Sequence, residues 1–510
     1  MRANAARVRS IRLRRSSIAV FAAAVGLACC ALSPGVSYGV GVAHPSVADK
    51  GAGSGVPELL TPTVKHEPDA YELLGVGCFS VKYCVAVGYG AGTLKGGVVV
   101  PIKNGVPGKP ILSPDSSSVF RAAACVSTSE CIVVGDEVVG KAPDTTALVW
   151  LLQGTKLTAL PQSTPVDYIT GDFDGVSCRG TTCEVVGNAT YLTSTKAQQP
   201  IALFAGLRLH GSPLKDPVDE VQNDALGYAS SVSCPSGPVC WVGGATADGQ
   251  GAEAWLSPTN GEIKGPFGQA SVSGIDGLAC LSYSACGAAE IENLTFPQTA
   301  GWVERLNQLS DGTPVMVAEA QLMFGIAALN QSYYLAVGSS DGDDWLADLM
   351  SAAGKPGKPV IWSHGGYLQA ISCPVQTECI AVGFTNDPST NQPGGVSGVD
   401  GAIELFHLKT APSAPRLKVA GKTGSSIRLR ITAPGSNGGV AVTSYDLVVT
   451  RCKPHHSGCL QEAVKTLRLS GKSRTETVTH LAAKTTYYFK IRAVNAIGAG
   501  PYSAQVHGTP

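Results

Sequence analysis

Fourteen of the 16 cysteines fall into seven close pairs, and pairs of this kind can do three sorts of chemistry. The pairs are Cys78–Cys84, Cys125–Cys131, Cys178–Cys183, Cys234–Cys240, Cys280–Cys286, Cys373–Cys379 and Cys452–Cys459. A structural zinc pair normally leaves two to four residues between its ligands and needs a companion pair, and no companion histidines follow here. A redox dithiol is normally C-x-x-C in a βαβ setting, which is absent. A β-hairpin brings facing Cα atoms to about 4.5–5.5 Å, within reach of a disulfide. The pairs are therefore expected to be hairpin staples, each contributing about 2 kcal/mol on the chain-entropy model. CKPHHSGC, residues 452–459, adds two histidines. Adjacent His455 and His456 are awkward ligands for one tetrahedral ion, so a staple is expected there too.

Other residue types offer weaker candidates. Asp341, Asp343 and Asp344 supply oxygen ligands of the kind calcium takes, although the EF-hand loop pattern is missing. Four residues before each first cysteine, or its counterpart, stand Leu74, Arg121, Asp174, Ser230, Asp276, Phe324 and Gln369. Of these, Arg121, Asp174, Ser230, Asp276 and Gln369 are candidate ligand-binding residues; the alternative is that they cap strand ends in contact with water. No residue is assigned a catalytic role and no cofactor is expected, calcium aside. The G-x-S-x-G elbow, HExxH and the glycine-rich phosphate loop are all absent. Paired carboxylates for glycoside hydrolysis stay open, because residues 67–409 carry 33 Asp+Glu.

These residues are positioned by a repeat. GVGCFSVKYCVAVG ends at Gly88, AAACVSTSECIVVG at Gly135, GVSCRGTTCEVVG at Gly187 and SVSCPSGPVCWVGG at Gly244. GLACLSYSACGAA starts at Gly277 and AISCPVQTECIAVG at Ala370. GIAALNQSYYLAVG, from Gly325 to Gly338, keeps the pattern with Ala328 and Tyr334 in place of cysteines. Each unit reads as four short strands, two of them flanking the stapled turn. Three residues before the first cysteine every unit has a small residue, and two before it an apolar one. Seven such units resemble a seven-bladed β-propeller of disulfide-stapled repeats over residues 70–409, with a β-solenoid as the alternative. The resemblance implies small residues crowding first strand on first strand, and variable loops on one face (136–147, 188–200, 339–344 and 384–401) free for recognition.

From Pro415 the pattern changes. Pro415, Ala433-Pro434 with Gly438-Gly439, Tyr445, Leu481, Tyr487 and the loop Asn495 to Gly500 resemble a fibronectin type III domain over residues 412–510. The resemblance implies a seven-stranded sandwich with Tyr487 at the tyrosine corner. Ile431 stands where that family usually has a core tryptophan. The fold class expected for the whole is all-β, a seven-bladed β-propeller followed by this immunoglobulin-like sandwich.

Charge divides the chain in the same place. Residues 67–409 hold 16 Lys+Arg against 33 Asp+Glu, and residues 410–510 hold 14 against 3. The basic sandwich is expected to contact an anionic wall or lipid surface, to present a solvated face, or to dock on the acidic half. At the start, six arginines precede an apolar stretch from Ile18 to Leu32, as in an export signal. Residues 1–37 are read as that signal, with Ala43 as the alternative cleavage point and 38–69 as an N-terminal linker. Cys29 and Cys30 fit a lipoprotein anchor only in part.

The sequence points to a secreted or cell-surface binding or adhesion protein. Its expected ligand is an extracellular carbohydrate, cell-wall polymer or protein, met by the loop-rich face, with no nucleic acid involved. A polysaccharide-degrading glycosidase or its accessory module, and a purely structural surface protein, are the alternatives.

Overall fold

The computed structural model describes residues 55–510 apart from 68, 91–94, 139–143, 161–167, 193–197, 210–225, 258–262, 270–272, 293–299, 307–312, 331, 387–399 and 456–457. The expected signal segment, both cleavage positions and Cys29–Cys30 lie outside the described residues, as do His456 and much of three of the four variable loops.

Each repeat unit forms its own small antiparallel sheet, because its second run is apolar almost throughout and buried on both faces, and a short turn returns the chain. The second unit is representative: Ser118–Cys125, Glu130–Val138, Thr145–Gln153 and Lys156–Ala159 pair in sequence order. The third shows three strands among the described residues, Tyr168–Arg179, Thr182–Leu192 and Gln198–Arg208. The seventh (Gly366–Val375, Glu378–Thr385, Asp400–Lys409) is extended from the other end of the chain. Glu58–Leu59 and Thr63–Glu67 both pair with Asp400–Lys409, with Glu58 opposite Lys409 and Val64 opposite Glu404.

The expectation of a seven-bladed β-propeller is corrected by this topology. The sheets are separate and open: among the described residues none closes on itself or curls strongly, and no hydrogen-bonded ladder joins one unit to the next. The fold shown is all-β, tandem small antiparallel sheets followed by a sandwich. A repeat fixes the hairpins, whose partners are a few residues apart, but says nothing of how one sheet is disposed against another.

Neighbouring sheets do pack, and the aligned columns explain how. A Cβ added to Gly75 would lie 2.4 Å from the Arg121 carbonyl oxygen, and one on Gly277 would lie 2.5 Å from that of Phe324. Only small residues leave room for backbones that close. The apolar column follows: Ala123, Val232, Leu278, Ile326 and Ile371 are all buried. Apolar clusters span sheet pairs, as where Leu335 and Val337 of the sixth unit meet Ala381 and Phe406 of the seventh.

Six expected staples are present, with facing Cα atoms 3.9–4.2 Å apart. Cys452 is disulfide-bonded, and the side chain of Cys459 lies outside the described residues. In the cysteine-free sixth unit Ala328 faces Tyr334, whose buried hydroxyl donates to the Ala285 carbonyl of the fifth sheet at 3.1 Å.

The C-terminal sandwich stacks Arg416–Lys422, Ile427–Thr432 and Thr475–Val478 on a second sheet ordered Gly458–Ser470, Ser444–His455, Tyr487–Val494, Val506–Gly508. Along Ile427–Thr432 burial alternates, so Leu429 and Ile431 enter the core while Arg428 and Arg430 face water. The Ala482 backbone N–H donates to the Tyr487 hydroxyl at 2.9 Å, which is the expected tyrosine corner. Asn495 fixes the entry to the sandwich, its amide donating to the carbonyls of Thr410 at 2.8 Å and Asn437 at 2.9 Å. From the seventh sheet the Gln376 amide donates to Ala411 O at 3.2 Å and Ser436 Oγ at 3.1 Å.

Candidate functional site

The seven residues of the candidate column share one backbone feature. In every unit the ladder between the first two strands slips by one residue, and the residue left over is Leu74, Arg121, Asp174, Ser230, Asp276, Phe324 or Gln369. Each is the extra residue of a β-bulge. A bulge bends its strand and re-aims the side chain it carries, and bulges are over-represented beside binding sites.

In six of the seven units a glycine on the second strand lets the carbonyl two residues before the bulge approach closely. A Cβ on Gly88 would lie 1.9 Å from the Glu72 carbonyl oxygen, and one on Gly383 would lie 2.0 Å from that of Tyr367. The glycine that ends six of the seven runs thus has a steric cause. The fifth unit has Glu290 in its place, opposite Ile275, and keeps its bulge.

The bulge residues engage one another and their neighbours. Arg121 Nε donates to Asp136 Oδ1 at 2.8 Å, and the guanidinium lies 3.5 Å from both Asp172 and Asp174. The Asn188 amide donates to Asp172 Oδ1 at 3.0 Å and to Asp174, while its oxygen accepts from the Ala229 N–H at 3.1 Å. Ser230 donates to the carbonyl of Ile275 and lies within hydrogen-bond distance of that of Gly243. The Gln369 amide donates to Glu72 Oε1 at 3.0 Å, and the Tyr89 hydroxyl to Glu72 Oε2 at 2.8 Å. Phe324 and Tyr367 stand 5.3 Å apart at their ring centres, Tyr367 and Phe384 4.2 Å, and Tyr71 and Tyr89 5.4 Å.

Electrostatics follow from crowding and burial. Burial opposes the Arg121 charge, but Asp174, Asp136 and Asp172 outweigh it and hold the guanidinium ionised. Burial, then the Asp172 carboxylate, push Asp174 up to about 7. Burial alone pushes Asp276 up to about 6. Burial and then Asp276 and Asp174 raise the Tyr228 hydroxyl.

Sequence reasoning had the bulge column but missed its partners. They come from two further columns of the same repeat. One is the residue after the ending glycine (Tyr89, Asp136, Asn188, Phe384), and the other lies two before the bulge (Glu72, Asp172, Tyr228, Tyr367). Extending the alignment past the glycine would have found the first.

The other candidate site does not assemble. Asp341, Asp343 and Asp344 form the turn between Tyr333–Ser340 and Trp345–Ser351, and Asp344 Oδ1 accepts from the Gly365 N–H at 3.1 Å. Among the described residues no three His, Cys, Asp or Glu side chains converge as metal ligands.

Comparison with known proteins bears on the C-terminal module. Residues 410–509 match the model of the fibronectin type III domain. This stretch is a fibronectin type III domain. The FN3 domain of human collagen XX is 22% identical, covering 20% of this chain and 94% of its own, at a TM-score of 0.16. The ephrin type-B receptor 3 of Xenopus laevis is 24% identical over 221 residues, 40% of this chain and 22% of that protein. The chain therefore spans about a fifth of the curated relative it matches. A streptogramin B lyase structure is 10% identical, covering 68% of this chain and 98% of its own, at a TM-score of 0.43.

A fibronectin type III domain and hairpin disulfides together mark an extracellular, disulfide-rich protein, since such bridges persist in oxidising surroundings. The comparisons give no support to the expectation of carbohydrate binding. Several of the candidate residues are engaged within the protein: Arg121 on three carboxylates, Ser230 on backbone, Gln369 on Glu72.

Proposed function

We propose that this protein is an extracellular binding protein whose ligand is another protein, met by the surface that the seven bulges create. One observation carries the reading: all seven units keep a β-bulge at the same place, and the side chains there differ in charge, size and aromaticity. A bulge kept only to bend a strand has no need of that variety. Half-buried Tyr71, Phe324 and Tyr367 offer apolar contact, while Arg121, Asp174 and Asp276 supply charge. Aromatic anchors beside a pre-organised charged group are what protein interfaces concentrate their energy in.

The test is depletion of mature protein from solution by intact cells, before and after their surface proteins are shaved with protease. Binding should disappear with shaving and fall at least about tenfold in the fold-sparing variants Phe324→Ala and Asp276→Asn. Binding that survives both shaving and the variants would end the proposal.

A further inference from the structure

In one part of the bulge-lined surface, aromatic rings and carboxylates gather without a basic partner. Tyr71 and Tyr89 of the first sheet, Phe324 of the sixth, and Tyr367 and Phe384 of the seventh are all half-buried, so each keeps part of its ring open to water. Ring contacts run from Phe324 to Tyr367 to Phe384, and Tyr71 stacks on Tyr89 with 29° between the planes. Glu72 ties the two groups together. It accepts from the Tyr89 hydroxyl at 2.8 Å and, from the seventh sheet, from the Gln369 amide at 3.0 Å.

Charge selects what these rings receive. Two carboxylates stand at the patch: Glu72, which is 9% exposed, and Asp343, which is exposed in its turn of the sixth unit. Burial and then the charge of Glu72 raise the hydroxyls of Tyr89 and Tyr367, and Asp343 acts on Tyr367 in the same direction. Both carboxylates therefore lie within electrostatic reach of the rings. Among the described residues no lysine or arginine pairs with either one. An aromatic face is electron-rich and attracts a cation that comes within about 6 Å of the ring centre. Carboxylates of one sign beside the rings add to that attraction and repel an anion.

We propose that this patch receives a lysine or arginine side chain of the partner protein, its charged head on the ring faces and its charge met by Glu72 and Asp343. The inference rests on the reading that the bulge-lined surface meets a protein, and it names the group of that protein which this part of the surface recognises.

The probe is the peptide acetyl-Gly-Ser-Arg-Ser-Gly-amide, titrated into the full mature chain and followed by NMR. The same peptide with citrulline for arginine is the neutral match, and phosphocholine represents a lipid headgroup, whose phosphate the carboxylates should repel. Stacking on rings moves the arginine side-chain protons upfield. A saturable upfield shift is expected, with affinity at least about tenfold lower for the citrulline peptide and for phosphocholine. Tyr71→Leu and Asp343→Asn should each weaken the arginine peptide about threefold or more. The citrulline and phosphocholine arms use unaltered protein, so the proposal stays testable if a variant fails to fold. No shift, equal binding of the citrulline peptide, tighter binding of phosphocholine, or folded variants without effect would each overturn it. The titration needs no cells. Its failure beside protease-sensitive cell binding ends this inference alone, whereas cell binding that survives shaving ends the protein-partner reading.

Discussion

Arg121 and Asp174 belong to consecutive sheets, each as the bulge residue of its first strand, and their charged groups lie 3.5 Å apart. Arg121 also meets Asp136, whose side chain is only 6% exposed, so one cation of limited exposure serves three carboxylates.

Removing that cation should therefore cost more than a surface ion pair does. Arg121→Ala leaves Asp136 buried with its charge uncompensated. Fully buried pairs lose about 3–5 kcal/mol on such a change, and the third-exposed guanidinium lowers the expectation to about 2 kcal/mol. Urea titration measures it. Adding Asp174→Asn should recover part of the loss, and a double variant no better than the single one would show that the pair is not coupled.

Glu404 should make the protein less stable as pH rises. It is fully buried in the seventh sheet, and burial pushes its carboxyl up to about 8. Its pKa is thus raised above the unfolded value near 4.5, so the folded state holds a proton that the unfolded chain releases. Stability is complete below about 4.5 and falls between there and 8, by up to about 1.4 kcal/mol per pH unit. Glu404→Met should flatten this slope, raising the melting temperature more at pH 8 than at pH 5. Parallel melting profiles for the two proteins would refute the assignment.

Gly383→Ala tests the close approach beside the bulge. Its new Cβ would sit 2.0 Å from the Tyr367 carbonyl oxygen, so the two strands must part there, as they do around Glu290 in the fifth unit. A loss of about 3 kcal/mol is expected from overpacking against rigid backbone. Gly424→Ala, where a Cβ meets nothing within 4 Å, should change stability little and is the control.

The staples and their one replacement can be compared directly. Converting Cys125 and Cys131 together to Ala should cost about 2 kcal/mol by freeing a short loop of the unfolded chain. Tyr334→Phe in the sixth unit removes only the hydroxyl that reaches Ala285, and should cost about 1 kcal/mol. Differential scanning calorimetry of both variants decides whether sulfur bridge and hydroxyl rank in that order.

Cysteine spacing, the repeat and the fibronectin type III pattern were legible because their partners are close in the chain. Cys125 meets Cys131 six residues on, and the Ala482 N–H meets Tyr487 five residues on, so sequence alone determined hairpins, staples and sandwich. Tertiary structure decided what depends on distant partners. Nothing local in Thr63–Glu67 announces that it pairs with Asp400–Lys409, or that Gln369 will meet Glu72 across 297 residues. Alternation assigns a side chain to one face of its strand but stops at a bulge, where period two breaks, and all five candidate residues stand at such breaks. Their type was visible in the sequence; their direction, their partners and the burial that lifts Asp174 and Glu404 came only from the packing of one sheet on the next.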